Sequence, residues 1–405
     1  MRHDSYGLEI TASSEAAAVA YRLAADRLLS ATGNALEAAD VAVREDPDMP
    51  MAHSARAMAL LARADVPAAR TAADAGLRLA THATRRERQH AAIIVDVVNG
   101  RRDEALAKLR EHLAEYPRDA LAINPAAGVF GLIGFSGRQG REREQLALIE
   151  PLAPHYGDDW WFNHVHGFAL LECDAEARAL PIVEAAITAR PDSGHAAHTW
   201  AHVLFETGQH DRALEWLTDW LPGYAPDGIL YCHTWWHLAL LHLHRHDFDS
   251  MWAVYDAHCR EGQSASLPIN LFTDGVALAW RAIAAGAELP IVRLQALREL
   301  GEKYFPKPGI FVDVHRAACL AALGDAIALA DYRRDLRSAL DAGTLSAGGV
   351  VLDILDGFDA FARGHWQRAC AALQAALPSV VRIGGSRAQR RIVSETLAAA
   401  VARQN

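Results

Sequence analysis

The feature that most constrains this chain is a break that returns every 34 to 40 residues. In "VNGRRDEALAKLREHLAEYP", Gly100 is followed five residues on by Ala105 and seventeen on by Pro117. The same frame fits Gly137 to Pro154, Asp174 to Pro191, Gly208 with Ala213 and Trp216, and Gly364 with Ala369 and Leu373. Looser matches stand at positions 30, 64, 246, 286 and 324. A single match would be chance, whereas an even succession of them describes a repeat. Between breaks, apolar residues recur at threes and fours, and alternating Val/Thr/aromatic runs with Asn-Gly turns are nearly absent. Thr84-Arg85-Arg86-Glu87 spells a capping box, and Pro191, Pro222 and Pro226 stand where helices should stop. The fold class is therefore all-α, and each period is a pair of helices. One such hairpin cannot bury its apolar face alone, so neighbours must stack into a solenoid with a concave inner wall.

A period of this length with a turn glycine and a closing proline is the tetratricopeptide signature. The expectation is a tetratricopeptide-like α-solenoid of about ten helical hairpins, closed up into a superhelix with a concave central pocket. No Pro/Gly/Ser-rich linker divides it, so residues 1–405 form a single domain, capped by 1–30 and 380–405.

Hydrophobic residues at 51% and charged residues at 22% describe a folded chain rather than a disordered one. A net charge of -10 and the lack of any Lys/Arg block argue against nucleic-acid and anionic-membrane partners. Cys173, Cys232, Cys259, Cys319 and Cys370 are scattered and never spaced as C-x-x-C, which gives no disulfide framework or zinc knuckle. "MRHDSYGLEI" is too polar for a signal peptide, and "LAINPAAGVFGLIGF" (121–135) is too short for a membrane span. A cytoplasmic protein follows, with self-association into a homo-oligomer left open.

Twenty histidines crowd towards residues 155 to 258. In "HAAHTWAHVLFE", His195, His198 and His202 fall at i, i+3 and i+7, with Glu206 four further on, so that a helix carries all four on one stripe. Tetratricopeptide repeats turn the second, fifth, ninth, twelfth and thirteenth positions inward. Carried onto this register, that rule places His195, His198, His202, Phe205 and Glu206 on the concave wall. The preceding repeat adds Trp161, His164, Phe168, Leu171 and Glu172, and the following one His233, Trp236, Leu240, Leu243 and His244. Glu87, His90 and Ile94 face inward nearer the N-terminus. Imidazoles, carboxylates and indoles on one wall suit a small-molecule substrate, whereas a groove for acidic peptide tails would carry Lys and Arg.

Three chemistries fit such a cluster. His198 and His202 form an i, i+4 pair able to share a divalent transition metal such as zinc, completed by His164, His233 or Glu206. Without any cofactor, His164, His198, His202 and His233 would act as acids and bases oriented by Glu206 and Glu172, for hydrolysis, elimination or isomerisation. Cys232 beside His233 is the weakest, because sequence neighbours on a helix point about 100° apart. No P-loop, dinucleotide fingerprint or nucleophile elbow is present. The alternative to an enzyme is a non-catalytic scaffold that binds a peptide or protein partner in the groove.

The strings "HAAHTWAHVLFETGQHDRALEWL" (195–217), "CHTWWHLALLHL" (232–243), "FTDGVALAWR" (272–281), "FVDVHRA" (311–317) and "GGSRAQR" (384–390) occur in this order. Together they resemble the tetratricopeptide repeat protein 38 family over nearly the whole chain. The resemblance implies the helical-repeat fold and marks further polar residues with no structural need: His237, Asp274, Asp313, His315, Ser386, Arg387 and Gln389. With Trp161, Trp236 and His90, the residues His237, Asp274, Asp313, His315 and Arg387 make up the expected substrate contacts. Gly384-Gly385-Ser386 before a helix would turn N–H groups towards an anion or carboxylate, or serve as a plain turn and N-cap.

Overall fold

The computed structural model describes residues 2–404. A two-stranded antiparallel ribbon, β1 (Arg2–His3) and β2 (Glu9–Ile10), opens the chain, and the rest is helical. Hairpins follow in order: α1 (Glu15–Ser30) with α2 (Ala35–Glu45), α3 (Pro50–Leu61) with α4 (Val66–Leu79), and α5 (Arg85–Val98) with α6 (Arg102–Glu115). The fourth is irregular, with α7 (Ala120–Ala127), α8 (Arg141–Ile149) and the single turn α9 (Ala153–Tyr156). Regular pairing resumes with α10 (Trp160–Glu172) and α11 (Glu176–Ala189), α12 (Gly194–Glu206) and α13 (His210–Trp220), and α14 (Tyr231–His244) and α15 (Phe248–His258). Then come α16 (Pro268–Ala284) with α17 (Ile291–Tyr304), α18 (Val312–Ala322) with α19 (Ala326–Asp341), and α20 (Val350–Ala362) with α21 (Trp366–Ala376). One unpaired helix, α22 (Arg387–Ala402), ends the array. The fold is an all-α, tetratricopeptide-like solenoid.

The repeating break is a backbone event. Ala31, Ala64, Gly100, Gly137, Asp174, Gly208, His246, Gly286, Gly324 and Gly364 all have φ between 54° and 95°. Left-handed backbone costs an L-residue about 1–2 kcal/mol, which is why glycine recurs there. Only the first anchor lies one residue from its expected position. The expected capping box is formed at the start of α5, with Thr84 Oγ1 accepting from the Glu87 amide at 3.2 Å while Glu87 accepts from the Thr84 amide at 3.0 Å. First helices form the inner layer. α14 is buried along nearly its whole length, whereas α15 buries only Met251 and Tyr255.

The superhelix closes on itself. Arg190 donates to both oxygens of Asp26 at 2.7 and 2.8 Å, and the Tyr224 hydroxyl donates to the Ala31 carbonyl at 2.7 Å. Further along, Arg141 donates to the Val381 carbonyl at 2.9 Å and Arg382 to that of Gly137, also at 2.9 Å. The N-terminal cap differs from its assignment. α1 is not a cap but the first helix of a hairpin, leaving the ribbon and the residues before Glu15 to cover that end. α22 packs on α21 of the last hairpin and also reaches α16 of the inner layer. Trp280 donates to Thr396 Oγ1 at 2.8 Å, Arg281 donates to Glu395 at 2.6 Å and to the Ala388 carbonyl at 2.6 Å, and Ile392, Val393 and Ala400 are buried. An amphipathic helix with no partner hairpin buries its apolar face where the wall is apolar.

The segment between α7 and α8 also enters the interior. Pro125 ends α7 early, and the chain doubles back so tightly that a Cβ on Gly134 would lie 2.0 Å from the Val129 carbonyl oxygen. Phe130 and Phe135 then pack on Phe311, with centroids 5.8 and 6.3 Å apart.

Candidate functional site

The first helices α10, α12 and α14 bring their histidines to one place. A cavity of about 420 Å³ opens there, lined by Phe130, His164, Phe168, His195, His198 and His233 with aliphatic walls from α3 and α7. Among its lining residues Arg102 alone carries a formal charge, and no carboxylate is present.

Beside the cavity, His198, His202, His233 and His237 offer ring nitrogens that all lie within 4.8 Å of one another. The Nε2 atoms of His198 and His202 are 3.0 Å apart, as the i, i+4 spacing predicts. His233 Nδ1 donates to Asp274 Oδ2 at 2.7 Å, which fixes the tautomer and leaves its Nε2 with a lone pair. Gln389 of α22 donates to the other oxygen of Asp274 at 3.2 Å. His237 Nε2 is buried with no hydrogen-bond partner, as is His202 Nδ1. Burial first, and then the charge of neighbouring imidazoles, holds His198, His202 and His237 well below the usual imidazole range. These rings are neutral at pH 7.

Other expected site residues lie elsewhere or are already engaged. His164 lines the cavity edge-on to His195, with centroids 5.3 Å apart, and burial lowers it as well. Glu172 and Glu206 do not reach a histidine. Glu172 accepts from the Arg387 backbone N–H at 2.8 Å and from Arg390 at 3.2 Å, and Glu206 accepts from Arg391. Both carboxylates hold α22, and Arg387 donates to Glu176 at 2.7 Å in the same seam. The glycines before α22 serve both expected purposes, a turn with an N-cap and the capture of a carboxylate. Cβ atoms on Gly384 and Gly385 would meet the Phe135 and Phe311 rings at 2.8 and 2.4 Å. Trp161 is buried against Tyr6 and Tyr156, away from the cavity. Trp236 stacks on His233 at 5.1 Å and carries Arg281 over its ring at 5.6 Å. His90 and His112 both contact Asp119, which also accepts from Arg86 at 2.6 Å in a separate buried network. Asp313 accepts from Tyr332 and from the Gly309 amide at 2.8 Å, and burial pushes it up to about 6. His315 contacts the Phe311 carbonyl at 2.9 Å and is lowered by burial to about 4. Cys232 is buried with its thiol on the Cys259 carbonyl, and the contact with Cys259, followed by burial, pushes it well up.

Sequence reasoning missed three contributors: the partnership of Asp274 with His233 across 41 residues, the entry of residues 128–136, and the use of α22 as a wall. The first and third were signalled by polar residues in the "FTDG" and "GGSRAQR" strings.

No family model matches the chain. Among solved structures it is similar to Pseudomonas aeruginosa PilF, at 16% identity and TM-score 0.36, covering 51% of this chain and 88% of that one. It is also similar to the human IFIT1 dimer with m7Gppp-AAAA, at 14% identity and TM-score 0.41, covering 75% and 67%. A third is the P58(IPK) TPR domain, at 14% identity and TM-score 0.22, covering 95% and 96%. The expected partner, a small-molecule substrate, finds no support in these likenesses, which at such identities and TM-scores show a helical fold alone. Among the described residues, no helix is long and apolar enough to cross a membrane.

Proposed function

We propose that this protein is a helical-repeat scaffold that seats an apolar, uncharged segment of a protein partner in the cavity on its concave wall. The observation that carries this reading is α22. The inner layer takes up this helix through its buried Ile392, Val393 and Ala400, with arginine–carboxylate pairs along its rim. Helix-in-groove recognition works by the same physics, an apolar stripe in a groove with charges at its edge. On the same inner layer the cavity of about 420 Å³ offers apolar walls of the same kind, with imidazoles as its polar points. Five unpaired cysteines suit a reducing, cytoplasmic setting. We also assign the chain to the tetratricopeptide repeat protein 38 family, because residues of its quoted strings, His233, Asp274 and Gln389, meet in hydrogen-bonded contact.

The test is selection of random peptides on the full-length protein. Peptides rich in Leu, Phe and Trp and poor in Asp and Glu should be enriched, and Phe168→Asp should abolish the enrichment. Absence of enrichment, or the same peptides on the variant, would overturn the proposal.

A further inference from the structure

We infer that His198, His202, His233 and His237 form a binding site for one divalent transition-metal ion of the zinc type, with Asp274 as its outer-shell carboxylate. This goes beyond the scaffold reading and does not depend on it. Two helices supply the four rings as two i, i+4 pairs, so each pair is set by helix geometry, and helix packing sets the pairs against each other. A tetrahedral ion with metal–nitrogen bonds of about 2.0–2.1 Å spaces its ligands about 3.3–3.4 Å apart. The His198–His202 separation of 3.0 Å is close to this, and the widest separation of 4.8 Å closes with ring rotations of about an ångström.

The proton inventory points the same way. Neutral imidazoles each hold one lone pair and one N–H. His233 spends its Nδ1 proton on Asp274 and presents a lone pair at Nε2. His237 Nε2 has no partner although it is buried, which is unfavourable unless something occupies the space in front of it. Carboxylate–histidine–metal relays use an Asp placed as Asp274 is, and Gln389 steadies that Asp from α22. The surrounding charge permits a cation. Arg281, over Trp236, is paired with Glu395, and Arg391, the nearest cation to His202 on α22, is paired with Glu206. An all-nitrogen set selects zinc, cobalt, nickel or copper over magnesium or calcium.

The test uses the full-length protein, stripped with chelator and titrated with Co²⁺ and Zn²⁺. One equivalent should bind, Co²⁺ should give the intense visible bands of a tetrahedral nitrogen site, and X-ray absorption should show imidazole scatterers in the first shell. Asp274→Asn should weaken binding by about 10- to 100-fold. His202→Gln and His237→Gln should remove the visible bands. Lack of stoichiometric uptake by the wild-type protein, or bands that survive in both histidine variants, would overturn the proposal. The wild-type titration and X-ray absorption do not depend on the variants folding. Peptide enrichment without metal uptake would retain the scaffold reading and sink this one.

Discussion

Replacing Arg390 by Met should detach α22 from the inner wall without unfolding the array. Arg390 is buried, donates to Glu172 at 3.2 Å and to the Gly385 carbonyl, and has no solvent to replace it. Breaking a buried ion pair from one side costs about 3–5 kcal/mol. Two features place this case at the low end. Glu172 keeps the Arg387 backbone N–H at 2.8 Å. Arg141, lowered to about 10 by burial first and then by Arg390, is relieved of a like charge. A loss of about 3 kcal/mol corresponds to an increase of about 100-fold in the opening equilibrium of α22. Hydrogen exchange read by mass spectrometry should show it across 387–402, while α1 and α3 keep their protection. Unchanged exchange in α22, or an equal loss across all helices, would refute the reasoning.

Stability should fall as pH falls from 6.5 towards about 4. His198, His202 and His237 are held below the ordinary imidazole value by burial, and His195 and His315 are lowered to about 4, so the unfolded chain binds protons first across that window. Asp313, raised to about 6, acts in the opposite sense, its contribution being present at low pH and lost as pH rises through 6. The histidines lowered by burial, His164 among them, outnumber the carboxyls raised by it, such as Asp313 and Glu206, so urea midpoints at pH 7 should exceed those at pH 5, and equal midpoints would contradict the burial. Gly134→Ala should destabilise by about 2 kcal/mol, because the new Cβ meets backbone at 2.0 Å; protease nicking between residues 128 and 136 would report it. Thr84→Ala should cost about 1 kcal/mol through loss of the cap, seen as a lower urea midpoint.

What was legible in the sequence was local. The hairpin register followed from left-handed breaks and period-3.6 spacing, both settled within a few residues, and the His198–His202 pair followed from one helical turn. Where the inward rule failed, a distant segment had covered the position. Tyr6, from the turn of the N-terminal ribbon, lies over Trp161, and Asp119 reaches His90 across 29 residues. Glu172 and Glu206 do occupy the concave side, but α22 claims them. Nothing in the pattern of α22 shows that, besides packing on α21, it reaches across to α16, because one apolar stripe serves either contact. Residues 121–135 read as an apolar run, and only the doubled-back chain after Pro125 explains it.

The concave cavity as a docking site for a protein segment is tested most directly by photo-crosslinking. A benzoylphenylalanine at Asn124, in the cavity wall, should capture a selected apolar peptide, and one at Asp249, exposed on the outer helix α15, should not. Cross-links at Asp249 as strong as those at Asn124 would contradict the account.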